Sequence, residues 1–258
     1  MKPEDIIRIK ELLPTDLGSD EIRGRIAKDI LLRSIFSARM TSASYLAKIR
    51  EVCEQMLAGR TNQAEARSAL EGILDQMGHS MQDGGGLRNP ASIRRINLIL
   101  ETQTQMAASV AQLQEQTDDV IEEWPAWELL RLEGRAVPRP DWAARWNAAG
   151  KSVSWEGAVE THVGGRMVAL KSSPIWQALG DGVGGFTDTL GNPFPPFAYS
   201  SGMGWEDVSR EECERIGLLK PGEKPGGSVG GFSLAPSEDE VREAAKRYGF
   251  GDFGEGLV

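Results

Sequence analysis

Residues 173–203 read SPIWQALGDGVGGFTDTLGNPFPPFAYSSGM. The prolines in this stretch fix φ and remove backbone donors, and its aromatic side chains carry large apolar surfaces that favour burial. Flexible linkers consist of glycine, serine and charged residues without such aromatics. The stretch therefore predicts an ordered, irregular loop that is pinned to a core and closes the domain. Its candidate interaction residues are Trp176, Phe194, Pro195, Pro196, Phe197, Tyr199 and Met203.

Upstream of this loop, residues 1–86 show the pattern of a helical subdomain. Apolar residues recur at helical spacing over residues 20–40, 42–57 and 62–77, which predicts three amphipathic helices. Asn62 and Glu65 have the spacing of a capping box at the start of the third helix. The connections are short, so we expect these helices to pack in an antiparallel arrangement, followed by a flexible joint at 83–86.

A long helix is predicted to follow this joint. Asn89 and Pro90 supply an N-cap and a first-turn proline, and apolar residues continue at three- and four-residue steps to about Gln116. They form two adjacent lines, which predicts packing on two sides of the helix. The remaining residues are rich in glutamine, and this surface is interpreted either as a solvated face or as a contact with another chain.

Two short strands are predicted beneath the aromatic loop. Residues 125–132 and 166–171 alternate in a way that favours strands, and we expect the two to pair into a small sheet. Between them, Pro140 and Asp141 open a short helix that ends at Gly150. The sequence therefore predicts a predominantly helical α+β fold with an N-terminal helical subdomain (1–86) and an α+β domain (87–220).

The last part of the chain is predicted to be a tethered helix. Ser209 and Glu212 form a capping box for a short helix that precedes it. Residues 221–258 combine a Gly/Pro linker with an amphipathic helix that begins near Ser237, and such a helix is expected to dock either on this chain or on another subunit. Its candidate interaction residues are Tyr248, Phe250 and Phe253.

The bulk composition argues against several classes of protein. A formal charge of -9 and a pI near 5.0 disfavour direct nucleic-acid binding, because phosphate recognition requires a basic surface. Cys53 and Cys213 lie far apart, so neither a disulfide framework nor a thiolate zinc site is predicted. No stretch has the pattern of a signal peptide or a membrane span, and we expect a soluble protein made in the cytoplasm.

Catalytic, cofactor-binding and metal-binding residues are not predicted. The two histidines, His79 and His162, are interpreted as incidental, and the glycines of 180–185 lack the flanking strand and helix of a phosphate-binding loop. A competing interpretation is a small hydrolase or toxin-like enzyme with an acid/base cleft. Its candidate residues are Arg131, Glu133, Arg135 and Asp141, although ion-pair networks are a common origin of such mixtures.

Short motifs along the chain resemble the minor head proteins of tailed phages. The relevant motifs are RINLILET at 95–102, PAWELLR at 125–131, Pro174-x-Trp176 and PPFAYSSGM at 195–203. In this order they resemble the head-morphogenesis family typified by the F protein of phage Mu, across roughly residues 20–219. The chain departs from the family pattern at 132–135, which lacks a histidine, and at 201–203, where many members have cysteines.

This resemblance implies a low-copy structural component of a phage or prophage head. Such a protein would act in head assembly, with portal and capsid or scaffold proteins as partners and self-association as a further option. It would be located in the virion head, and in the host bacterial cytoplasm during assembly, with a role in DNA packaging or ejection left open. The residues themselves agree with a structural role, because their pattern predicts no enzymatic activity, no cofactor and no membrane contact.

Overall fold

The structure is a computed structural model that describes residues 1–26, 28–80, 86–132, 134, 139–154 and 165–227. These residues fall into two compact units, with residues 1–108 in unit 1 and residues 109–227 in unit 2. They form ten α-helices and two small β-sheets, so the prediction of a predominantly helical α+β fold is confirmed. None of the described helices is both long enough and apolar enough to cross a lipid bilayer.

Unit 1 consists mainly of helices around an aliphatic core. Its two-stranded sheet is parallel, with Glu11 opposite Ser34 and Leu12 opposite Ile35. Helix α1 packs against α4, and α4 packs against α5. The elements are α1 (Pro3–Arg8), β1 (Glu11–Leu12), α2 (Ser19–Arg25), α3 (Lys28–Leu32), β2 (Ser34–Ile35), α4 (Ala43–Leu57), α5 (Gln63–Gln76) and α6 (Ile93–Gln114), within which the unit boundary falls.

The single helix predicted for residues 20–40 is wrong. The chain forms α2, then α3, and becomes extended at β2. Main-chain hydrogen bonds from Glu11 to the Arg33 carbonyl (3.0 Å) and from Leu13 to the Ile35 carbonyl (2.9 Å) join this segment to β1. The apolar residues have helical spacing along the sequence. In β2, however, the main-chain hydrogen bonds are made with β1 and not within a helix.

The predicted caps are partly correct. Asn62 accepts a main-chain hydrogen bond at the start of α5 and forms the predicted capping box with Glu65. Ser42, for which no cap was predicted, accepts one at the start of α4. At the start of α6 the prediction is wrong by one turn. There Ser92 Oγ accepts from the Arg95 N–H (3.3 Å), while Asn89 Oδ1 accepts from the Ala91 N–H (2.9 Å) in a turn that precedes the helix.

Unit 1 buries a lysine ammonium. Lys10 is 3% exposed, and its Nζ donates to Gln103 Oε1 at 2.8 Å. Burial lowers the pKa of Lys10 to about 8, and the nearby Cys53 acts weakly in the opposite direction. Since the unfolded pKa is about 10.4, the unfolded chain binds more protons than the folded chain between about pH 8 and pH 10. Stability conferred by this group therefore rises with pH across that window.

We expect Lys10→Met to raise the free energy of unfolding at pH 7 by about 1 kcal/mol. Methionine keeps most of the buried volume and removes the cost of burying a charge, although Gln103 loses a partner. The rise in stability between pH 8 and pH 10 should also disappear. Urea unfolding followed by circular dichroism at pH 7, pH 8 and pH 10 measures both effects. Lys2→Met, at an exposed lysine, is the control. A destabilised Lys10→Met variant would show that the ammonium contributes net stability.

Unit 2 is built on a three-stranded antiparallel sheet. The strands are β3 (Ala126–Arg131), β4 (Val168–Leu170) and β5 (Met203–Val208), in the order β4-β3-β5. The predicted pairing of the first two strands is confirmed, with Trp127 opposite Ala169. The described residues of this unit also form four helices after α6: α7 (Asp118–Glu123), α8 (Trp142–Ser152), α9 (Ile175–Asp181) and α10 (Arg210–Arg215).

The two faces of this sheet have different partners. On one face Ala126, Val168 and Val208 form an aliphatic cluster with Cys213 and Leu219, at and beyond α10. The predicted cap of α10 is confirmed, because Ser209 accepts from the Glu212 N–H. The opposite face presents Trp127 and Trp205 to the tryptophan core described below. Strand β5 was not predicted, and the available signal was the spacing of two residues between its buried Met203 and Trp205.

Candidate functional site

The interior of unit 2 is a cluster of aromatic rings centred on Trp176. Its ring centroid lies 5.9 Å from Trp127, 5.5 Å from Trp146 and 5.6 Å from Trp205, each in an edge-to-face arrangement. Trp127 and Trp205 stack at 3.8 Å across β3 and β5. Trp176 is fully buried, and its indole N–H donates to the Leu170 carbonyl at 2.9 Å. This cluster joins the sheet to α8 and α9.

Residues 173–203 form an ordered segment that packs on this cluster, as the sequence predicts. The segment is more regular than expected, because it contains α9 and ends in β5. Pro174 is the N-cap residue of α9, and Gly182 ends α9 in the left-handed conformation at φ 71°. Main-chain bridging of Thr189 with Ala198 then closes the loop that follows.

Most candidate interaction residues in this segment are interior residues. Trp176, Phe194 and Phe197 have 0% exposure, and Met203 has 5%. Pro195 and Pro196 are also buried, and only Tyr199 is partly exposed. Their role in unit 2 is therefore to build the core, because a buried ring has no surface left for a partner. Tyr248, Phe250 and Phe253 lie outside the described residues.

Arginine and aspartate side chains fix the loop of this segment to α8. Asp188 forms ion pairs with Arg139 and with Arg145, and Arg145 also pairs with Asp141, the latter two at 2.9 Å. The Arg145 guanidinium is buried over the rings of Trp142 and Phe186. Burial acts to raise the pKa of Asp188, but the hydrogen bond from Arg145 and the charges of both arginines outweigh it and lower that pKa.

We expect Asp188→Asn to lower the free energy of unfolding of unit 2 by about 2 kcal/mol, because the buried Arg145 loses a charged partner. A carboxylate with a lowered pKa confers stability that is lost as the pH falls through its folded pKa, below about pH 4. The variant should therefore lose less stability on acidification than the wild type. Tryptophan fluorescence during urea unfolding at pH 7 and pH 3 measures both effects.

Asp119→Asn in the exposed first turn of α7 is the matched control for Asp188→Asn. It removes the same charge and should change stability by less than about 0.5 kcal/mol. Equal effects of the two substitutions at pH 7 would show that the Asp188 ion pairs carry no special weight.

An open cleft of about 360 Å³ lies beside β3. Both charged and apolar side chains line it. On the wall of the cleft, Arg166 forms an ion pair with Glu128 at 2.6 Å. Arg166 also pairs with Glu212 at 2.5 Å. Its lining residues are Glu128, Leu129, Leu130, Arg131, Arg139, Trp142, Gly165, Arg166, Met167 and Met203.

The residues of the hydrolase alternative are only partly described. Arg131 donates to the Ser201 carbonyl (3.1 Å) and to the Arg139 carbonyl (3.3 Å), and Asp141 is held by Arg145. Glu133 and Arg135 lie outside the described residues. Arg131 lines the cleft and Asp141 does not, so the structure does not bring these two into one set of lining residues.

The remaining ionisable residues singled out in the sequence are two cysteines and two histidines. Cys53 and Cys213 are buried free thiols, and burial raises their pKa values to about 12 and about 11. Both therefore remain protonated thiols at neutral pH. His79 follows the end of α5 at Gly78, and His162 lies outside the described residues. Across the described ranges, no three His, Cys, Asp or Glu residues are grouped so as to hold a metal ion.

Lys171 was missed by the sequence analysis and is fully buried at the edge of the core. Its Nζ pairs with Asp207 at 2.7 Å and donates to Gln116 Oε1 at 2.5 Å. The ammonium also lies 5.2 Å from the Trp127 ring centroid. These contacts offset the cost of burying the charge, and they connect the segment after β4 to β5.

Comparison with protein-family models, with curated proteins and with solved structures gives no match to this chain.

Proposed function

We propose that this chain is a non-enzymatic minor head protein of a tailed phage or prophage, which acts in head assembly with portal and capsid or scaffold proteins. The proposal rests on the resemblance of its short motifs to the head-morphogenesis family. One structural observation supports treating these motifs as a unit. Trp127, Trp176 and Phe197 come from three separate motifs, and their rings meet in one core.

A structural role also fits the use of charged residues in unit 2. Arg139, Arg145, Asp141 and Asp188 are engaged with one another, and Lys171 is engaged with Asp207. Ion pairs of this kind hold loops in place and leave the rings around Trp176 closely packed. The hydrolase alternative would instead use Arg131, Glu133, Arg135 and Asp141 as the candidate residues of an acid/base cleft.

The test is the composition of heads assembled in the bacterium that carries the gene. We expect heads purified to homogeneity to contain this chain at low copy, and chemical cross-linking to connect it to the portal protein. Deleting the gene should reduce the yield of filled heads, and expression of the intact chain should restore it. Purified infectious heads that lack the chain, or normal head yield from the deletion strain, would contradict the proposal.

A second measurement separates assembly from enzymatic activity. The deletion strain is complemented with Arg131→Gln and with Lys220→Gln, an exposed residue outside the cleft, after both variants are shown to remain folded. We expect both to restore the yield of filled heads. Failure of the folded Arg131→Gln variant alone would favour the hydrolase alternative, which uses this residue.

A further inference from the structure

Four arginines lie at or near the start of α6, and none of them has a carboxylate partner among the described residues. Arg39, Arg88 and Arg94 are exposed, whereas Arg95 in the first turn of the helix is only 7% exposed. The chain has a formal charge of -9. A group of unpaired positive charges is therefore a local exception on an acidic protein, and it favours an anionic partner at this surface.

The buried Arg95 holds two other parts of the chain beside the start of α6. Its guanidinium donates to the Ala38 carbonyl, next to Arg39 in the sequence, and to the Leu87 and Arg88 carbonyls at 3.4 Å each. Burial lowers the pKa of Arg95, and the nearby positive charge of Arg39 adds to this effect. These contacts bring the separate arginines together on unit 1.

Two large apolar side chains are exposed in the same stretch. Leu87 is 51% exposed and Ile93 is 40% exposed, and each precedes an exposed arginine in the sequence. We refer to this surface as the arginine patch; it consists of Arg39, Leu87, Arg88, Ile93 and Arg94. Its composition is complementary to a protein segment with both carboxylates and apolar side chains. A nucleic-acid backbone would use only the guanidinium groups.

The last ten residues of the chain have the complementary composition. Residues 249–258 read GFGDFGEGLV, with Asp252 and Glu255 as the charged side chains and no lysine or arginine. Phe250 and Phe253 are the large apolar side chains on either side of Asp252. These residues lie outside the described part of the chain. The core of unit 2 accounts for most aromatic candidates of residues 173–203, whereas no surface has yet been assigned to these two rings.

We infer that residues 249–258 bind to the arginine patch of the same chain. The carboxylates of Asp252 and Glu255 would pair with the exposed guanidinium groups of the patch. The Phe253 ring would contact the aliphatic side chains of the patch and stack on a guanidinium. Such a contact would cover the exposed apolar side chains and compensate the unpaired charges. This inference goes beyond the proposed function and does not depend on it.

The first test is photo-cross-linking within the purified full chain. p-Benzoylphenylalanine takes the place of Phe253, and after irradiation the monomer is digested and the cross-linked residues are located by mass spectrometry. We expect most cross-links to fall on residues 86–94. The same probe in place of Phe232, which precedes the docking segment, is the control and should not give these cross-links.

Three outcomes of the cross-linking would overturn the inference. The first is a set of cross-links that falls mainly on other surfaces of the chain. The second is a yield at residues 86–94 no higher than that of the Phe232 control. The third is cross-linking to residues 86–94 only in a covalent dimer, because the occupant of the patch would then be a second copy of the chain.

The second test assigns the contact to the exposed charges of the patch. Arg88→Gln combined with Arg94→Gln removes two of them and leaves the buried Arg95 in place. We expect the cross-link yield to fall about fivefold, as for the loss of two exposed ion pairs. Lys2→Gln combined with Lys220→Gln removes the same charge from exposed positions outside the patch and should leave the yield nearly unchanged. Equal yields from the two variants would contradict the inference.

An exchange of charges separates direct pairing from a change in folding. Arg88→Glu combined with Arg94→Glu should abolish the cross-link to the patch, because like charges would then face each other. Adding Asp252→Arg and Glu255→Arg to this variant should restore the cross-link. Circular dichroism checks that both variants are folded. A folded variant with all four substitutions that stays without the cross-link would count against pairing between the segment and the patch.

Discussion

Trp176→Ala is expected to lower the free energy of unfolding of unit 2 by about 4 kcal/mol, the largest effect of any single truncation proposed for this chain. Trp176 has 0% exposure and touches the rings of Trp127, Trp146, Trp205 and Phe197. Truncation leaves a cavity that the rigid sheet and α8 cannot fill. It also removes the indole N–H donor from the Leu170 carbonyl, which keeps only its hydrogen bond from the Ser173 N–H.

Urea unfolding followed by tryptophan fluorescence measures this effect in unit 2 specifically. All seven tryptophans of the chain follow residue 109 in the sequence, so they report on this unit. Trp124→Ala is the matched control, because Trp124 is 38% exposed and should cost less than about 1 kcal/mol. A Trp176→Ala variant as stable as Trp124→Ala would show that the ring cluster does not hold unit 2 together.

Gly180→Ala is expected to lower the free energy of unfolding of unit 2 by about 3 kcal/mol, through overpacking. Gly180 lies in α9 where residues 191–192 cross it, and its carbonyl accepts from the Gly191 N–H at 2.8 Å. A Cβ at this position would lie 2.6 Å from the Asn192 carbonyl carbon, and closer still to its oxygen. Main-chain atoms cannot rotate away as a flexible side chain can, so α9 and the loop must separate.

Gly72→Ala in α5 is the contrasting substitution. Gly72 is also a helical glycine, but a Cβ there would meet nothing within 4 Å. Alanine has the higher helix propensity, so this variant should be more stable by about 1 kcal/mol. Thermal unfolding followed by circular dichroism compares the two. Similar changes in both variants would mean that helix propensity, and not the contact with Asn192, decides the effect at Gly180.

Part of the fold follows from patterns that act over a few residues. Asn62 and Ser209 cap helices as predicted, because their side chains bond with main-chain groups three residues along the chain. The strand predicted at 125–132 is β3, and its pairing with the strand predicted at 166–171 is also confirmed.

Other features depend on residues that are distant in the sequence. The helix predicted for 20–40 is interrupted because β2 pairs with β1, more than twenty residues earlier. The sequence marks Trp176, Phe194 and Phe197 as candidate contact residues, but the structure buries all three. An apolar ring in a sequence does not show which surface covers it.

The sequence by itself determined the starts of α5 and α10, the period of the apolar residues and the need to bury the rings of residues 173–203. These follow from the geometry of one turn or one strand, which neighbouring residues set. Only the tertiary structure decided which rings meet at Trp176 and which carboxylates hold Arg139 and Arg145. Those outcomes depend on long-range pairing and close packing, in which the partner of each side chain is chosen by the fold as a whole.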